Sequence, residues 1–563
     1  MDGPRGADGA HPYASMAGKL DPKLLKALDV MGFQSMTPVQ HRVLTALPDL
    51  RKDCLVQAKT GTGKTLAFLL PALHCLLQGT AAAPRGQVAI LIITPTRELA
   101  QQVATSCDQL TSQLDQPLKC ATAVGGTARA SAYSRFLKDT PTVLVATPGR
   151  LKDYLSDAHA ADKLSNIQTL ILDEADTMLE TGFLADVKEI LRLLPHKNTG
   201  WQGMCFSATV PPKVRDVVKV VLKPGYSDIS TIEKNETPTH ERVPQYHMIM
   251  PSVGDTFNMT AAIIQHETKN CSKIIVFGPT SYVVAMFGDL FAQGLVNMPV
   301  YQIHSRLNQS SRTRTTEQFK NATSGILFAS DVVGRGMDFP NVDLVIQIGL
   351  PSNTDQYIHR VGRTARAGND GRAIILFTEP ESFFIKAYPF LPIKPHPDTE
   401  AIAASVPFHA TKVTQIMHGL DETAKDRAYR SYLGFFAGSP WMKRMRLDKP
   451  GLVRMANDFA MDAMACPEPP IVEKKTAGKM GLKGVPGLNY GNGSEVRPST
   501  KPRVHRGAVE KNRAEGREQR REGGGGREGR EGREGHGRQG GRGHGRGGRG
   551  HGRGGRAGGS MDM

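Results

Sequence analysis

The segment Ala58-Lys59-Thr60-Gly61-Thr62-Gly63-Lys64-Thr65 constrains this chain more than any other. It follows a short β-rich run at residues 53–58 and precedes an apolar stretch with helical spacing, so it lies where a strand ends and a helix begins. Gly61 and Gly63 let the backbone turn tightly, which aims its N–H groups at an anion held over the positive end of the following helix. Lys64 would reach the β and γ phosphates of a nucleotide, and the Thr65 hydroxyl would face Mg²⁺. Ala58 stands where the general pattern has its first glycine.

Such a loop needs a carboxylate for the metal. The apolar run 169–172 delivers one at its end, in Asp173-Glu174-Ala175-Asp176. Asp173 is suited to hold Mg²⁺ through its water shell, and Glu174 to orient or deprotonate an attacking water. An acidic quartet alone is a common solvated helix start; the phosphate loop upstream gives this one a partner.

The surrounding pattern repeats. Short apolar runs at 53–58, 89–94, 142–147, 169–173 and 203–207 alternate with helix-compatible stretches, as in a parallel α/β sheet. After a polar segment the pattern resumes at 273–277, 300–304, 325–329, 344–348 and 373–377. The expected architecture is therefore α/β, with two tandem parallel-sheet domains. The expected divisions are a flexible N-terminus (1–19), a first domain (20–226), a linker (227–242) and a second domain (243–390). A helical extension (391–466) and a disordered basic tail (467–563) complete the chain.

Charge is concentrated at one end. Of the formal +17, residues 501–563 supply 17 Lys and Arg against 8 Asp and Glu. From Arg513 onward Arg-Gly and Arg-Glu-Gly units recur with nothing to bury, a composition that does not offset its ordering entropy. The seven cysteines are scattered and form no Cys-x-x-Cys pair, which argues against a disulfide framework or zinc site and for a reducing interior. No stretch approaches the roughly 20 apolar residues of a membrane-spanning helix. The N-terminus has no apolar signal core, and Asp2 and Asp8 are unlike a mitochondrial presequence.

With these residues in place, the chain resembles a DEAD-box helicase of superfamily 2, whose domains are RecA-like. The resemblance runs from about Met31 to Gly368 and rests on motifs in the family's order. The first domain has Gly32-Phe33 through Thr37-Pro38-Val39-Gln40, the phosphate loop, Pro95-Thr96-Arg97-Glu98-Leu99-Ala100, Gly125-Gly126, Thr147-Pro148-Gly149-Arg150, Asp173 to Asp176, and Ser207-Ala208-Thr209. The second has Gln309 to Arg312, Ser330 through Gly334 to Asp338, and His359-Arg360-Val361-Gly362-Arg363-Thr364-Ala365-Arg366.

The resemblance implies an ATP-dependent RNA helicase that binds RNA across its two closed domains, unwinds or remodels short duplexes locally and is reset when ATP hydrolysis reopens the domains. ATP and Mg²⁺ would be its cofactors, and RNA chaperoning in splicing or ribonucleoprotein assembly its setting. Gln40 would read the adenine edge with its two-sided amide, while Phe33 would pack on the base or serve as a plain core aromatic. Arg363 and Arg366, three apart and on one helical face, would be arginine fingers for the γ phosphate. Asp338 would support the nucleotide. Ser207, Thr209 and His359 would couple the ATP site to RNA. Thr96, Arg97, Gly126, Thr147, Gly149 and Arg150 would hold RNA from the first domain, and Gln309, Arg312, Ser330 and Gly334 from the second, through phosphates and 2′-hydroxyls rather than sequence. An ATP-gated clamp that seldom unwinds is the competing reading; intact motifs in both domains favour turnover.

Beyond the second domain, Arg427 to Phe436 and Trp441 to Arg446 join aromatics to basic residues. They resemble the extension of the fungal mitochondrial RNA-chaperone subgroup, which implies a mitochondrial location, with a nucleocytoplasmic one as the alternative. A plain packing helix explains the same aromatics. The tail has no Phe or Tyr after Tyr490, so it is expected to bind RNA electrostatically or to act as a solubilising tail. A monomer with ribonucleoprotein partners is the expected working form.

Overall fold

Each of the ten apolar runs forms a strand, and each belongs to one of two seven-stranded parallel sheets. The computed structural model describes residues 11–47, 50–79, 86–180, 182–232, 243–333, 337–365 and 369–491. Gly334, Arg366 and the expected basic tail beyond residue 491 lie outside these. The first sheet contains β1 (Cys54–Gln57), β2 (Ile90–Ile93), β3 (Cys120–Ala123), β4 (Val143–Ala146), β5 (Thr169–Leu172), β6 (Gln202–Ser207) and β7 (Ser227–Ser230). The second contains β8 (Gln245–Met250), β9 (Lys273–Phe277), β10 (Val300–Ile303), β11 (Gly325–Ala329), β12 (Leu344–Ile348), β13 (Arg372–Thr378) and β14 (Ile393–Pro395).

The strand orders are β3-β4-β2-β5-β6-β1-β7 and β10-β11-β9-β12-β13-β8-β14, one topology used twice. Central strands are apolar on both faces because helices cover both faces of a parallel sheet. In β2, Ile90 and Ile92 enter one core while Leu91 and Ile93 enter the opposite one. The loops expected to carry the site lie at the carboxyl ends of the strands, where an open α/β sheet presents its crevice.

The duplication has a telling difference. β8 occupies the place that β1 holds in the first sheet, but the turn after it is Ser252 to Asp255, with no Gly-Lys-Thr. A Cβ on Gly254 would come within 2.7 Å of Asp462 Cβ, so the extension's Phe459–Ala463 turn packs where the first domain presents its phosphate loop.

Three expected divisions need correction. The expected linker begins with strand β7, an edge strand on β1 in which only Ile229 is buried; its Ser-Asp-Ile-Ser sequence carries too little apolar signal to read as a strand. The expected flexible N-terminus includes a strand at His11–Pro12 that pairs antiparallel with Ser35–Met36, with Tyr13 and Met16 buried behind it. The expected disordered tail is packed as far as Gly491: Val472, Ala477, Leu482 and Leu488 are buried, and Val472–Glu473 pairs with Tyr490–Gly491.

The extension is part of the second domain's interior. Its first residues form β14, and helices Thr399–His418, Glu422–Ala437 and Lys449–Asp458 follow. Tyr429, Tyr432, Leu433 and Phe436 share one apolar core with β9, β11 and β12. Trp441 is buried and donates its indole N–H to the Pro351 carbonyl at 2.7 Å. Among the described residues no helix is long and apolar enough to cross a membrane.

Candidate active site

The phosphate loop follows β1 and leads into helix Lys64–Leu77. Gly61 and Gly63 have φ of 77° and 90°, the left-handed region open to glycine at little steric cost. Gly63 is the helix N-cap and has no side chain to cap the first turn, which leaves amide N–H groups for an anion. Thr62 Oγ1 closes the loop on Lys59 O at 2.8 Å, and Thr60 and Ala58 are both buried. Lys64 is buried and donates its ammonium to Ala58 O at 3.2 Å, a carbonyl contact that phosphate oxygens can replace. Thr65, the second residue of the helix, is half-buried.

Asp173 and Glu174 sit at the end of β5, both buried. Burial, and then the charge of Glu174, pushes the Asp173 carboxyl up to about 7, against the pull of Lys64. A buried acidic pair beside a single lysine is short of positive charge and fits a hard divalent cation. Glu174 has φ 52°, an uncommon value for a side chain of its size, and its carboxylate accepts from Thr177 Oγ1 at 3.2 Å.

The third acid faces the other way. Asp176 Oδ2 accepts from Thr209 N at 2.9 Å and Thr209 Oγ1 at 3.0 Å, and its amide donates to Ser207 Oγ at 3.2 Å. His359 Nε2, fully buried on the second domain's helix Thr354–Val361, lies 3.7 Å from the same Asp176 oxygen. Thr209 Oγ1 also lies 3.4 Å from Asp355 Oδ2. The expected coupling residues Ser207, Thr209 and His359 are thus brought together across the two domains. Gly362 makes the approach possible, because a Cβ there would come within 2.5 Å of Thr60 Oγ1 in the phosphate loop.

Arg363 is buried and donates Nε to His359 O at 3.1 Å and Nη1 to Met337 O. Arg363 lies just past the helix, which ends at Val361 with Gly362 as its C-cap, so the helical face expected to present it is not there; its bonds tie it to its own domain instead. Asp338, next to Met337, is exposed. Arg360, passed over as a site residue, donates Nε to Asp331 at 2.8 Å and lies over the Phe277 ring.

Gln40 belongs to a capping box at the start of helix Pro38–Ala46, where Thr37 is the N-cap. Its Oε1 accepts from Thr37 N at 2.8 Å and from Tyr13 OH at 2.7 Å, while Nε2 donates to Gly63 O at 3.1 Å. Phe33 is half-buried against the first domain's core.

A second junction lies where the expected RNA residues meet. Thr96 caps helix Arg97–Thr111. Arg97 Nη1 donates to Gln309 Oε1 at 3.3 Å, Gln309 Nε2 donates to Glu98 Oε1 at 3.0 Å, and Arg312 pairs with Glu98 Oε2 at 2.5 Å. Gly126 has φ 81°, and the Arg97 guanidinium lies where its Cβ would be. Arg150 donates to Thr127 Oγ1 and O at 3.2 and 3.1 Å. Thr147 precedes helix Pro148–Leu155, and Gly149 faces open space within it. Ser330 is buried at the end of β11, its hydroxyl without a hydrogen-bond partner among the described residues. Glu98, a buried acid between Arg97 and Arg312, was the missed member of this set; its signal was a lone carboxylate between Arg97 and the apolar Leu99-Ala100.

Residues 37–217 match the model of the DEAD/DEAH box helicase family, and residues 256–368 match that of the helicase conserved C-terminal domain. A curated mitochondrial ATP-dependent RNA helicase, mss116 of Aspergillus oryzae, is 68% identical over 533 residues, covering 91% of this chain and 84% of that protein. The chain belongs to the DEAD-box helicase family. The mitochondrial MSS116 of Phaeosphaeria nodorum is 54% identical, covering 86% of this helicase and 87% of its own length. Among solved structures, Mss116p bound to single-stranded RNA and AMP-PNP superposes with a TM-score of 0.73 at 26% identity, covering 87% of this helicase and 99% of that chain. A structure of Mss116 bound to single-stranded RNA and UDP-BeF gives a TM-score of 0.73 at 27% identity, covering 86% and 98%.

Proposed function

We propose that this ATP-dependent RNA helicase completes its catalytic site only when its two domains are in contact, so that hydrolysis is tied to their grip on RNA. The carrying observation is Asp176, one carboxylate behind the ATP-side pair Asp173–Glu174 that meets Thr209 at 2.9 Å and the second domain's His359 at 3.7 Å.

In this reading the loop Ala58 to Thr65 cradles the phosphates and Lys64 exchanges its carbonyl contact for the β and γ oxygens. Gln40 reads adenine beside Phe33, and Asp338 supports the nucleotide from the second domain. Thr65 and Asp173 hold Mg²⁺, which when bound neutralises phosphate charge. Glu174 orients the attacking water and accepts its proton. Arg363 and Arg366 stabilise charge on the transferring phosphoryl group from the opposite domain.

RNA is held as a single strand or short duplex, without sequence reading, by Thr96, Arg97, Gly126, Thr147, Gly149 and Arg150 together with Gln309, Arg312, Ser330 and Gly334. The Arg97–Gln309 and Arg312–Glu98 contacts give these groups one register across the domains. The helicase acts in mitochondria, which the names of two mitochondrial relatives support, and it works there as a monomeric RNA chaperone. Imaging the protein with its native N-terminus checks the compartment; exclusion from mitochondria would refute it. Lys64→Ala is expected to remove RNA-stimulated ATP hydrolysis and duplex release together, measured side by side on one RNA. Wild-type duplex release by this variant, whose phosphate loop has lost its lysine, would refute the coupling.

A further inference from the structure

The hydrogen-bond partners of Gln40 carry one consequence that the proposed roles do not use. A glutamine amide has two acceptor positions on oxygen and two donor hydrogens on nitrogen. Here the orientation of the amide is settled by backbone groups: Thr37 N–H can only donate and Gly63 C=O can only accept. Oε1 therefore faces Thr37 and Tyr13, and the Tyr13 hydroxyl is the donor in the 2.7 Å bond between them. Both acceptor positions on Oε1 are taken, while one N–H on Nε2 remains.

Tyr13 is held in place from several sides. The strand pairing of His11 with Met36 and Pro12 with Ser35 sets the register, and Tyr13 N donates to Gln34 O at 3.0 Å. His11 stacks on His41, with ring centroids 3.5 Å apart. The Tyr13 ring is 3% exposed, and burial pushes its phenol well above the usual range, so the hydroxyl stays a neutral donor.

An adenine that offers its 6-amino group to Oε1 meets an oxygen already occupied. Thr37 N–H is fixed by the helix start, whereas a phenol hydroxyl can rotate away. We infer that Tyr13 is a specificity-determining residue: its hydroxyl holds the acceptor position on Gln40 that a 6-amino purine would use, and so lowers selectivity for adenine. A nucleotide with a 6-oxo group makes no use of that acceptor and loses nothing to the tyrosine. The inference rests on the proposed role of Gln40 as the adenine contact.

The test is RNA-stimulated hydrolysis of ATP and of inosine triphosphate by the full chain, compared as the ratio of kcat/KM. Tyr13→Phe keeps the buried ring and removes the hydroxyl. It is expected to raise the ATP preference roughly fivefold, the factor that one net neutral hydrogen bond supplies. Tyr13→Met, a second variant without the hydroxyl, should move the ratio in the same direction, and thermal melts establish that each variant is folded. Gln40→Ala should collapse the preference, and adding Tyr13→Phe to it should change nothing further. If Gln40→Ala lowers the preference while both Tyr13 variants leave it unchanged or lower it, the inference on Tyr13 is wrong and the role of Gln40 stands. If Gln40→Ala leaves the preference at the wild-type value, the role of Gln40 fails and takes the inference with it.

Discussion

Replacing Trp441 with Phe is expected to loosen the helix that carries His359. The indole is 3% exposed and its N–H reaches Pro351 O at 2.7 Å, two residues before Asn353, the N-cap of helix Thr354–Val361. The same ring packs against Phe384 at 6.2 Å, which in turn packs against Tyr357 of that helix at 5.7 Å. Phe retains an aromatic ring but leaves the buried Pro351 carbonyl unpaired, at a cost of about 1–3 kcal/mol. The missing part of the indole leaves a void of roughly 40 Å³, which adds about 1 kcal/mol. The sum, about 2–4 kcal/mol, corresponds to roughly 30- to 1,000-fold faster exchange of amides in this helix if they exchange through the weakened opening. Hydrogen exchange followed by mass spectrometry reads this directly, with residues of the first domain as the internal reference. Phe408→Ala is the matched control: Phe408 is 84% exposed on a neighbouring extension helix, and its loss should stay within about 0.5 kcal/mol. Wild-type exchange in residues 354–361 of Trp441→Phe would refute the proposed brace.

Three further outcomes follow from individual contacts. Gly362→Ala places a methyl against Thr60 and is expected to leave ATP binding by the first domain intact while suppressing RNA-stimulated turnover; wild-type turnover would show that the domains do not approach this closely when active. Burial works against the Glu267 carboxylate, but bonds from His396 and Arg372 outweigh it and hold the group down to about 2 from 4.5. Because the folded value is depressed, its stabilisation of about 3 kcal/mol is present above pH 4.5 and lost as pH falls towards 2. Glu267→Gln should therefore flatten acid unfolding in that window, measured by circular dichroism. Removing residues after Glu510 should weaken RNA affinity and flatten its salt dependence while sparing the ATPase core, and an unchanged salt slope would make the tail a solubilising segment only.

Strands buried on both faces were legible because a parallel sheet demands continuous apolar runs, and β2, β5 and β9 supply them. The four strands that escaped, β3, β7, β8 and β14, lie at or beside sheet edges or mix polar with apolar positions, so their pairing comes from neighbours rather than from their own pattern. Tyr13 illustrates a different limit. Its role depends on a register between residues 11–12 and 35–36 that no local periodicity encodes. The phosphate loop and the Asp173–Glu174 pair were readable because each needs particular residue types at fixed spacing. Glu98 was not, since a lone acid gains meaning only once Arg97, Gln309 and Arg312 are seen around it. The packing of residues 467–491 escaped because isolated apolar residues such as Val472 and Leu482 bury themselves on a surface made elsewhere in the chain.

The central claim is that hydrolysis by Glu174 reopens domains that ATP and RNA have brought together. Glu174→Gln keeps the shape of a side chain that accepts from Thr177 at 3.2 Å but removes its ability to take a proton. Fluorescence energy transfer between one label in each domain, recorded with ATP and single-stranded RNA, measures the outcome. The account predicts a long-lived domain-closed population with ATP hydrolysis reduced by orders of magnitude. Turnover at the wild-type rate, or domains that open as readily as in the wild type, would contradict it.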